Sequence, residues 1–412
     1  MPVALIILLL VWVAIALRKA TQRVIPIWAI MAVGAFAALV FGQISPKQAV
    51  HAIEPDVMLY LFGVFLICQA AETSGCLEQL TEKLFFHAHT GRQALFIIIF
   101  ALGLSAALLM NDTIAILGTP LILQLCRSNK KLTKPLLYAL AFAVTIGSTL
   151  SPIGNPQNLL IAVKGQMSSP FWDFLKFLAI PALINLVVAY FFIYVVHKKT
   201  LNEPIHKPEP APKAINHYQT VRLVKLSLMI LFVLLIAKII MDSMRFSFHL
   251  NFSYIALTSA LPILCSSERW VLLRRLDWGT LIFFASTFVL IQSVWDSGFF
   301  QANINHFNIP VTHVAIIILL SVVLSQFISN VPLVALYLPL LIQHGQSQSQ
   351  LLALAVGSTI AGNLSILGAA SNVIITQNAE KRGASGFGFV EFIQYGAPLT
   401  LINILVYLCF LK

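Results

Sequence analysis

Two short polar sequences interrupt apolar stretches that could otherwise enter a membrane. Asn111-Asp112-Thr113 interrupts the stretch 94–126, and Ser329-Asn330-Val331-Pro332 interrupts the stretch 312–344. Asn, Asp, Ser and Thr cap helix N-termini, and proline fits the first helical turn. Each sequence is therefore predicted to start a helix at membrane depth. The free N–H groups of such a helix favour anions, and the side-chain oxygens beside them can bind Na⁺.

Two further sequences, residues 147–158 and 357–372, combine glycine with Ser, Thr and Asn inside apolar stretches. Pro152 and Pro156 exclude a regular helix in the first sequence, and the glycines permit an unwound backbone in both. Unpaired backbone groups are tolerated at membrane depth only where protein or a watery cavity satisfies them. The carbonyl groups of such a break are natural ligands for Na⁺, so we predict two broken helices beside an ion site.

These four sequences supply the candidate site residues. The predicted substrate contacts are Asn111, Thr113, Asn158, Ser329, Asn330 and Asn372. The predicted contacts of a coupling ion, Na⁺ or H⁺, are Asn111, Asp112, Ser148, Thr149, Gly154, Asn155, Ser358, Thr359, Asn363, Gly368 and Ser371. Small residues also line helix interfaces, so any single Ser, Thr or Gly could serve packing alone, and the paired pattern is what favours a site.

Asp112 is the one carboxylate that we place well inside the membrane. Acidic groups in spanning segments are costly and usually functional, so Asp112 is predicted to bind a cation or a proton. The alternative is a neutral or helix-capping aspartate. We expect no cofactor other than the coupling ion and no catalytic residue, because the chain has no HExxH, GxSxG or P-loop sequence.

The composition requires a membrane around these sequences. Of the 412 residues, 59% are hydrophobic and only 10% are charged, whereas soluble domains average about 25% charged residues. The net charge of +11 does not indicate a nucleic-acid partner, because the basic residues lie in short loops between apolar runs. The five cysteines have no metal-binding or disulfide spacing. The expected partners are the lipid bilayer and a small anion.

Ten crossings and two re-entrant hairpins account for the apolar runs. The hairpins are the interrupted stretches 94–126 and 312–344. The predicted crossings are 2–17, 24–42, 56–73, 135–163, 172–196, 222–242, 250–266, 278–296, 351–379 and 389–411. We expect a multi-pass protein of the cell membrane, which in a bacterium is the inner membrane.

The basic residues orient this arrangement. Of the 26 lysines and arginines, 19 lie in the loops on one side, and three (Lys176, Lys225 and Lys238) lie in or near spans. The four on the other side are Lys47, Lys164, Arg245 and Lys412. Because cytoplasmic loops carry the excess of basic residues, the asymmetry places both termini outside the cytoplasm.

The chain contains an internal repeat around a polar, proline-containing stretch. We divide it into a first transmembrane repeat (1–196), a cytoplasmic linker (197–221) and a second transmembrane repeat (222–412). Asn111 matches Asn330, and Asn158 matches Asn372. Each repeat has about five crossings and one hairpin, and because five is odd the second repeat is inverted. The predicted fold is an all-α polytopic membrane protein with two inverted repeats and unwound mid-membrane helices.

The chain resembles the citrate-transporter-like domain of the ion transporter superfamily. The resemblance lies in Asn111-Asp112-Thr113 with Gly118-Thr119-Pro120, in Ile153-Gly154-Asn155-Pro156-Gln157-Asn158, and in residues 366–372 followed by 379–383. That group includes divalent-anion/sodium symporters, arsenite/antimonite permeases and sodium/proton antiporters. The resemblance implies an elevator-like carrier, usually a homodimer, that holds its substrate between two hairpin tips and two unwound loops.

The tips depart from the pattern of the sodium-coupled members, which carry Ser-Asn-Thr at both tips. Val331 removes a hydroxyl that could bind sodium or a carboxylate, and Asp112 adds a negative charge. We therefore expect a secondary active transporter that moves a small anion, an organic carboxylate or an inorganic oxyanion, coupled to Na⁺ or H⁺. The alternatives are an arsenite/antimonite efflux permease and a Na⁺/H⁺ antiporter.

Overall fold

The fold is built almost entirely from helices. The computed structural model describes residues 2–17, 25–53, 55–165, 167, 169–205, 218–243, 251–299 and 312–411. Within these ranges there is no β-strand, and one isolated bridge joins Thr90 to Pro204. The predicted all-α class is therefore confirmed.

The helices are numbered here in chain order, with short 3₁₀ segments left unnumbered. They are α1 (Val3–Leu17), α2 (Ile27–Val40), α3 (Pro46–Ala52), α4 (Pro55–Thr73), α5 (Cys76–Leu84), α6 (Gly91–Leu109), α7 (Asn111–Leu125), α8 (Thr133–Ser148), α9 (Pro156–Lys164), α10 (Pro170–Val196), α11 (Lys198–Leu201), α12 (Tyr218–Ser243), α13 (Phe252–Leu264), α14 (Arg269–Arg275), α15 (Trp278–Asp296), α16 (Val314–Ile328), α17 (Asn330–Gln343), α18 (Gln348–Ile360), α19 (Ala370–Lys381) and α20 (Phe389–Phe410).

Many of these helices are apolar on every face, as expected of helices that lie in lipid. By length and composition α6, α10, α15 and α20 could each cross a membrane, and several shorter helices are equally apolar. Large side chains such as Leu10 and Val13 of α1 are more than half exposed on the outer surface of the molecule. A soluble protein would bury such a surface, so the chain is a multi-pass membrane protein.

Each of the two interrupted stretches forms a helical hairpin. Hairpin 1 is α6 and α7 joined at Met110, and hairpin 2 is α16 and α17 joined at Ser329. Glu203 contacts both ends of hairpin 1, because its carbonyl accepts from the Gly91 N–H (3.2 Å) and its carboxylate accepts from the Asn129 amide (2.7 Å). The ends of hairpin 2 meet where Gln350 donates to the Thr312 carbonyl (2.8 Å). Each hairpin thus returns to the level at which it began.

The helix that follows each hairpin lies in the centre of the molecule. α8 is buried from Pro135 to Ser148, and α18 is buried from Leu351 to Ile360. Each packs closely on the first arm of its own hairpin: a Cβ atom added at Gly147 would lie 1.8 Å from the Gly103 carbonyl oxygen. This close approach leaves no space for a larger residue at position 147, which lies just before the unwound segment that follows α8.

Packing between the two parts of the chain follows a reciprocal pattern. α4 packs on α13, and α15 packs on α2. In the same way α7 packs on α19, whereas α17 packs on α9. This pattern is expected of two equivalent halves, in which α4 corresponds to α15, α2 to α13, α7 to α17 and α9 to α19. The inversion of one half, its domain bounds and the position of the membrane stay predictions.

Helical residues occupy both ends of the predicted linker 197–221. Residues 198–201 form α11, in which Leu201 is fully buried beside Gly91 and Leu132. At the other end α12 begins at Tyr218. Residues 206–217 lie outside the described residues, as do Arg245 and Lys412.

Candidate functional site

Each hairpin turns at a residue with an unusual backbone conformation. Met110 (φ 64°) and Ser329 (φ 66°) are the non-glycine residues with positive φ in the described part of the chain. Such a conformation costs roughly 1–3 kcal/mol and persists where the surrounding structure enforces it. The sharp turn lets α7 begin at Asn111 and α17 begin at Asn330. Both predicted helix starts are therefore present, and they occur at equivalent positions.

The two tips face one cavity, which we call the tip cavity. Its volume is about 580 Å³, within the usual range of small-molecule sites. The aromatic and aliphatic wall comes from α1, α2, α15 and α16. The polar lining residues are Asp56, Tyr60, Asn111, Asp112, Gln157, Lys164, Thr287, Gln326, Ser329 and Asn330.

Tip 1, the turn of hairpin 1 at Met110, contacts the unwound segment between α8 and α9, which we call loop 1 (149–155). The Asn111 N–H donates to the Gly154 carbonyl (3.0 Å), and the Asn111 side-chain oxygen accepts from the Asp112 N–H (2.9 Å). The hydroxyl of Thr113 is hydrogen-bonded to the Tyr60 hydroxyl. Thr113 itself is fully buried and reaches the cavity only through Tyr60.

Asp112 is the outstanding polar group of tip 1. It lies on the cavity wall, is 7% exposed, and its Oδ1 atom has no hydrogen-bond partner in the described structure. No ion pair involves it within the described residues. A buried carboxylate without a cationic partner is unfavourable when ionised, so it needs a bound cation or a proton.

Tip 2, the turn of hairpin 2 at Ser329, lies beside a second unwound segment, which we call loop 2 (361–369). Gln326, one turn before the tip, bonds to this loop. The Gln326 amide donates to the Ala361 carbonyl (2.9 Å), and its side-chain oxygen accepts from the Ser365 hydroxyl (2.7 Å). Asn330 is 8% exposed, and its Oδ1 atom has no partner in the described structure. The tip therefore presents an acceptor that a protonated or cationic ligand could satisfy.

Asn158 and Asn372 perform the same task in the two loops. The Asn158 amide donates to the Ser148 and Ser151 carbonyls (3.2 Å each). The Asn372 amide donates to the Gly362 (2.5 Å) and Ser365 (3.2 Å) carbonyls. In both cases the acceptors lie ten and seven residues earlier. Each asparagine thus binds two carbonyls of the unwound backbone and holds the loop in its conformation.

The remaining predicted hydroxyl and amide groups connect the loops to each other and to α20. Thr359 donates to the Asn158 side-chain oxygen (3.1 Å) and accepts from Asn155 (3.0 Å). Thr149 is hydrogen-bonded to the Tyr407 hydroxyl (2.7 Å). The loops thus form one buried polar network.

Four predicted site residues share the tip cavity: Asn111, Asp112, Ser329 and Asn330. The structure does not bring the other twelve onto its wall. Those buried behind it are Thr113, Ser148, Thr149, Gly154, Asn155, Asn158, Ser358, Thr359, Asn363, Gly368, Ser371 and Asn372. Of these, Asn363, Ser371 and Asn372 each retain a side-chain oxygen without a hydrogen-bond partner in the described structure. The ligand roles of all these residues stay predictions.

Sequence reasoning missed six polar residues of the cavity: Asp56, Tyr60, Gln157, Lys164, Thr287 and Gln326. Asp56 and Tyr60 come from α4, and Lys164 is an exposed residue at the end of α9. Gln326 had a visible signal, since it is an amide in an apolar arm one turn before a tip. Asp56 accepts a hydrogen bond from Ser253. Together, Asp56, Asp112 and Lys164 give the cavity two carboxylates and one lysine. The described residues hold no cluster of His, Cys, Asp and Glu suited to a transition metal.

Known transporters resemble this chain along most of its length. The chain is 26% identical to the silicon efflux transporter LSI3 of rice (Oryza sativa subsp. japonica), over 90% of this chain and 89% of that protein. It is 20% identical to a protein named arsB from Dictyostelium discoideum, over 91% and 85%. A crystal structure of the YdaH transporter from Alcanivorax borkumensis aligns over 99% of this chain and 95% of that one, with a TM-score of 0.49 and 15% identity.

A sequence profile described as "Citrate transporter" matches residues 7–352 of the chain. The profile spans hairpin 1, loop 1 and hairpin 2, and so it includes both tips of the cavity. Its members and the relatives named above are transporters, as the sequence predicted, and not enzymes. The chain belongs to the citrate transporter family of membrane transporters.

Proposed function

We propose that this transporter is a secondary active carrier of a small oxyanion or its conjugate acid, coupled to H⁺ through Asp112. The observation that carries the proposal is the Asp112 carboxylate, which is buried on the cavity wall and has no cationic partner among the described residues. A proton that binds there neutralises the charge, and its release depends on which side of the membrane the cavity faces.

Proton coupling is better supported than sodium coupling. Na⁺ needs several oxygen ligands around one point. Tip 2 has Val331 where tip 1 has Asp112, and so it offers no side-chain oxygen at that position. The hydroxyls of Ser148 and Ser358 donate to carbonyls of their own helices, and Thr359 donates to Asn158. Hydroxyl oxygens that donate in this way can still bind Na⁺ but cannot exchange a proton near neutral pH, whereas the buried Asp112 carboxyl can.

The charge of the tip cavity favours a solute of low negative charge. Asp56 and Asp112 face the cavity together with one lysine, Lys164. A multiply charged carboxylate would be repelled while both acids are ionised. A weak oxyacid avoids this repulsion, and the silicon that the rice relative exports dissolves as such an acid. Contacts with Asn111, Ser329 and Asn330 would fix its hydroxyl groups.

Transport into proteoliposomes tests the proposal. Vesicles would carry an imposed pH gradient or an imposed Na⁺ gradient at matched voltage, with silicic acid, arsenite, sulfate, succinate and citrate as solutes. We expect the pH gradient to drive accumulation of an oxyacid and the Na⁺ gradient to have no effect. Accumulation driven by Na⁺ alone would contradict proton coupling, and arsenite as the sole solute would favour the efflux-permease alternative.

Replacement of Asp112 provides the decisive variant. Asp112→Asn keeps the size and the hydrogen-bonding shape of the side chain but cannot exchange a proton. We expect gradient-driven accumulation to fall to the level of protein-free vesicles, while equilibrium exchange of the labelled solute persists. Asp296→Asn alters an exposed carboxylate outside the cavity and serves as the matched control. Unchanged pH dependence in Asp112→Asn would remove Asp112 from the coupling site.

A Na⁺/H⁺ antiporter is the second candidate, and the two cavity carboxylates are the observation that favours it. The same vesicles decide the matter when no anion is present. Dissipation of a pH gradient by Na⁺ alone would support the antiporter, whereas a requirement for the oxyacid would support the carrier. The homodimer and the external termini stay predictions from the family resemblance and the loop charges.

A further inference from the structure

A second cavity lies apart from the tip cavity, and we call it the basic cleft. It has a volume of about 750 Å³ and lies between the connection from α7 to α8 and the turn that follows α19. None of its lining residues lines the tip cavity. Five cationic side chains and one acid line it: Arg127, Lys130, Lys131, Lys134, Arg382 and Glu72.

The positive charge of the basic cleft exceeds the negative charge around it. Lys134 pairs with Glu391 (2.9 Å), Arg382 with Glu72, and Lys131 lies 3.9 Å from Glu203. These three acids leave two of the five cations without a carboxylate. Within the described residues those two are Arg127 and Lys130, both exposed. The cleft therefore has an unbalanced charge that an anion would neutralise.

Helix ends alone do not explain this group of cations. α7 and α19 end beside the cleft, and basic residues near helix C-termini compensate a dipole worth about half a charge each. The N-terminus of α8 contributes the opposite sign at Thr133, which also lines the cleft. The Gln124 amide adds a neutral hydrogen-bond donor to the same wall. Cations and neutral donors that converge on one concave surface form an anion site.

We propose that the basic cleft binds a phosphate group, with Arg127 and Lys130 as direct contacts. The guanidinium of Arg127 matches two phosphate oxygens, and the ammonium of Lys130 supplies a point charge. The volume exceeds that of a bare phosphate, and Pro120, Leu123 and Ala384 provide apolar surface beside the cations. A phosphate that carries a further group, such as a lipid headgroup or a soluble phosphate ester, has this chemistry.

A bound phosphate would lie where two parts of the transporter meet. Arg127 and Lys130 follow α7, the helix that carries Asp112, and Ala384 and Ser385 follow α19. The site therefore has the position of a regulatory site at the end of hairpin 1. It requires no assumption about proton coupling.

Binding to the purified protein tests the site without a transport assay. Thermal unfolding in a neutral detergent would be followed with phosphatidylglycerol, with phosphatidylcholine of the same acyl chains, or with sodium pyrophosphate against chloride at equal ionic strength. We expect the unfolding temperature to rise with phosphatidylglycerol or with pyrophosphate, and not with phosphatidylcholine or chloride. An effect of phosphatidylglycerol alone assigns the site to a lipid headgroup, and an effect of pyrophosphate assigns it to a soluble anion.

The variant Arg127→Gln/Lys130→Gln should raise the dissociation constant at least about tenfold, because two charge-assisted contacts are lost. Lys198→Gln/Lys199→Gln removes two exposed cations outside the cleft and is the matched control. The single variant Lys130→Gln gives an intermediate loss if the double variant is unstable. The proposal would be overturned if neither phosphatidylglycerol nor pyrophosphate raised the unfolding temperature. It would also be overturned if the Lys198/Lys199 control lost binding to the same extent.

Discussion

The second arms of the two hairpins are equivalent in the chain but differ in their surroundings. α7 and α17 both start at an asparagine after a residue with positive φ, and both carry a proline nine residues later, Pro120 and Pro339. α7 is buried along most of its length, whereas α17 leaves Ala335 and Pro339 exposed. The two arms therefore do not have the same surroundings. A carrier that opens to one side at a time would differ in this way.

The buried arm is closed by a set of polar contacts that we call the α7 seam. Arg382 forms a two-pronged ion pair with Glu72 of α4 and also bonds to Asn378 of α19. Asn378 donates to the Ile116 carbonyl of α7 (3.3 Å). When Asn158 is aligned with Asn372, the residue that corresponds to Asn378 is Lys164, which is exposed at the tip cavity. At this position the second arm therefore has a lysine in place of the amide that bonds to α7.

The strongest test of this difference compares the reactivity of matched cysteines on the two arms. Alignment of Asn111 with Asn330 pairs Ile116, which is fully buried, with Ala335, which is exposed. A buried cysteine reacts only after local opening, and an opening free energy of about 3 kcal/mol slows it by roughly 100-fold. We therefore expect Ala335→Cys to react with a small soluble maleimide at least about 100-fold faster than Ile116→Cys.

Both cysteines would be introduced into protein in which Cys265 and Cys409, the exposed native cysteines, are serine. Purified protein in detergent removes any influence of membrane sidedness. Equal rates at the two positions would show that α7 opens as readily as α17, and the asymmetry would then have no functional meaning.

The next test compares the two loops, where the equivalent residues differ by one hydrogen bond. Asn158 accepts from Thr359 in addition to its two donated bonds, whereas the Asn372 side-chain oxygen has no partner in the described structure. Each alanine variant removes two hydrogen bonds to buried carbonyls, although the Ser151 and Ser365 carbonyls still accept from the Gly154 and Gly368 N–H groups. We expect Asn158→Ala to lower the free energy of unfolding by about 3 kcal/mol and Asn372→Ala by about 2 kcal/mol.

Denaturant unfolding in detergent would measure both variants. Asn202→Ala, at an exposed residue beside α11, should change the stability by less than about 0.5 kcal/mol. A larger loss for Asn372→Ala than for Asn158→Ala would mean that the bond to Thr359, which joins the two loops, adds nothing to stability.

The sequence identified the positions of the chain breaks better than the surfaces they face. Asn111 and Asn330 were predictable as helix starts because asparagine is frequent at helix N-termini, although the Asn330 side-chain oxygen accepts no hydrogen bond in the described structure. Loop 1 was predictable because Pro152 and Pro156 exclude a helix. Asp56 and Tyr60 were not, because a helix that is apolar on most faces gives no periodic signal for the side that meets a cavity. Their position depends on packing between distant helices.

The roles of the loop residues were also beyond sequence reasoning. Asn158 and Asn372 are predicted to bind substrate, and that role stays a prediction. Their amides pair with carbonyls ten and seven residues earlier, a geometry that depends on the path of the unwound backbone. Thr359 meets Asn155 across 204 residues of chain. No local pattern contains such a contact.

The smallest expected effect concerns the ion pair of the α7 seam. Glu72→Gln removes the charge that holds Arg382 and should make opening of α7 easier. The pair is partly exposed, so its loss is worth only about 1 kcal/mol, or roughly a fivefold rise in the reactivity of Ile116→Cys. Ala335→Cys should keep its rate, because the Glu72–Arg382 pair includes no residue of α17.

Glu391→Gln distinguishes a specific seam from general loosening. It breaks the comparable ion pair with Lys134, which lies outside the contacts between α7 and α19. If only Glu72→Gln raises the reactivity of Ile116→Cys, the Glu72–Arg382 pair helps to keep α7 packed. The two arms would then differ because this ion pair stabilises only α7. If both variants expose it equally, the burial of α7 reflects overall packing of the bundle, and the comparison with α17 loses its basis in this ion pair.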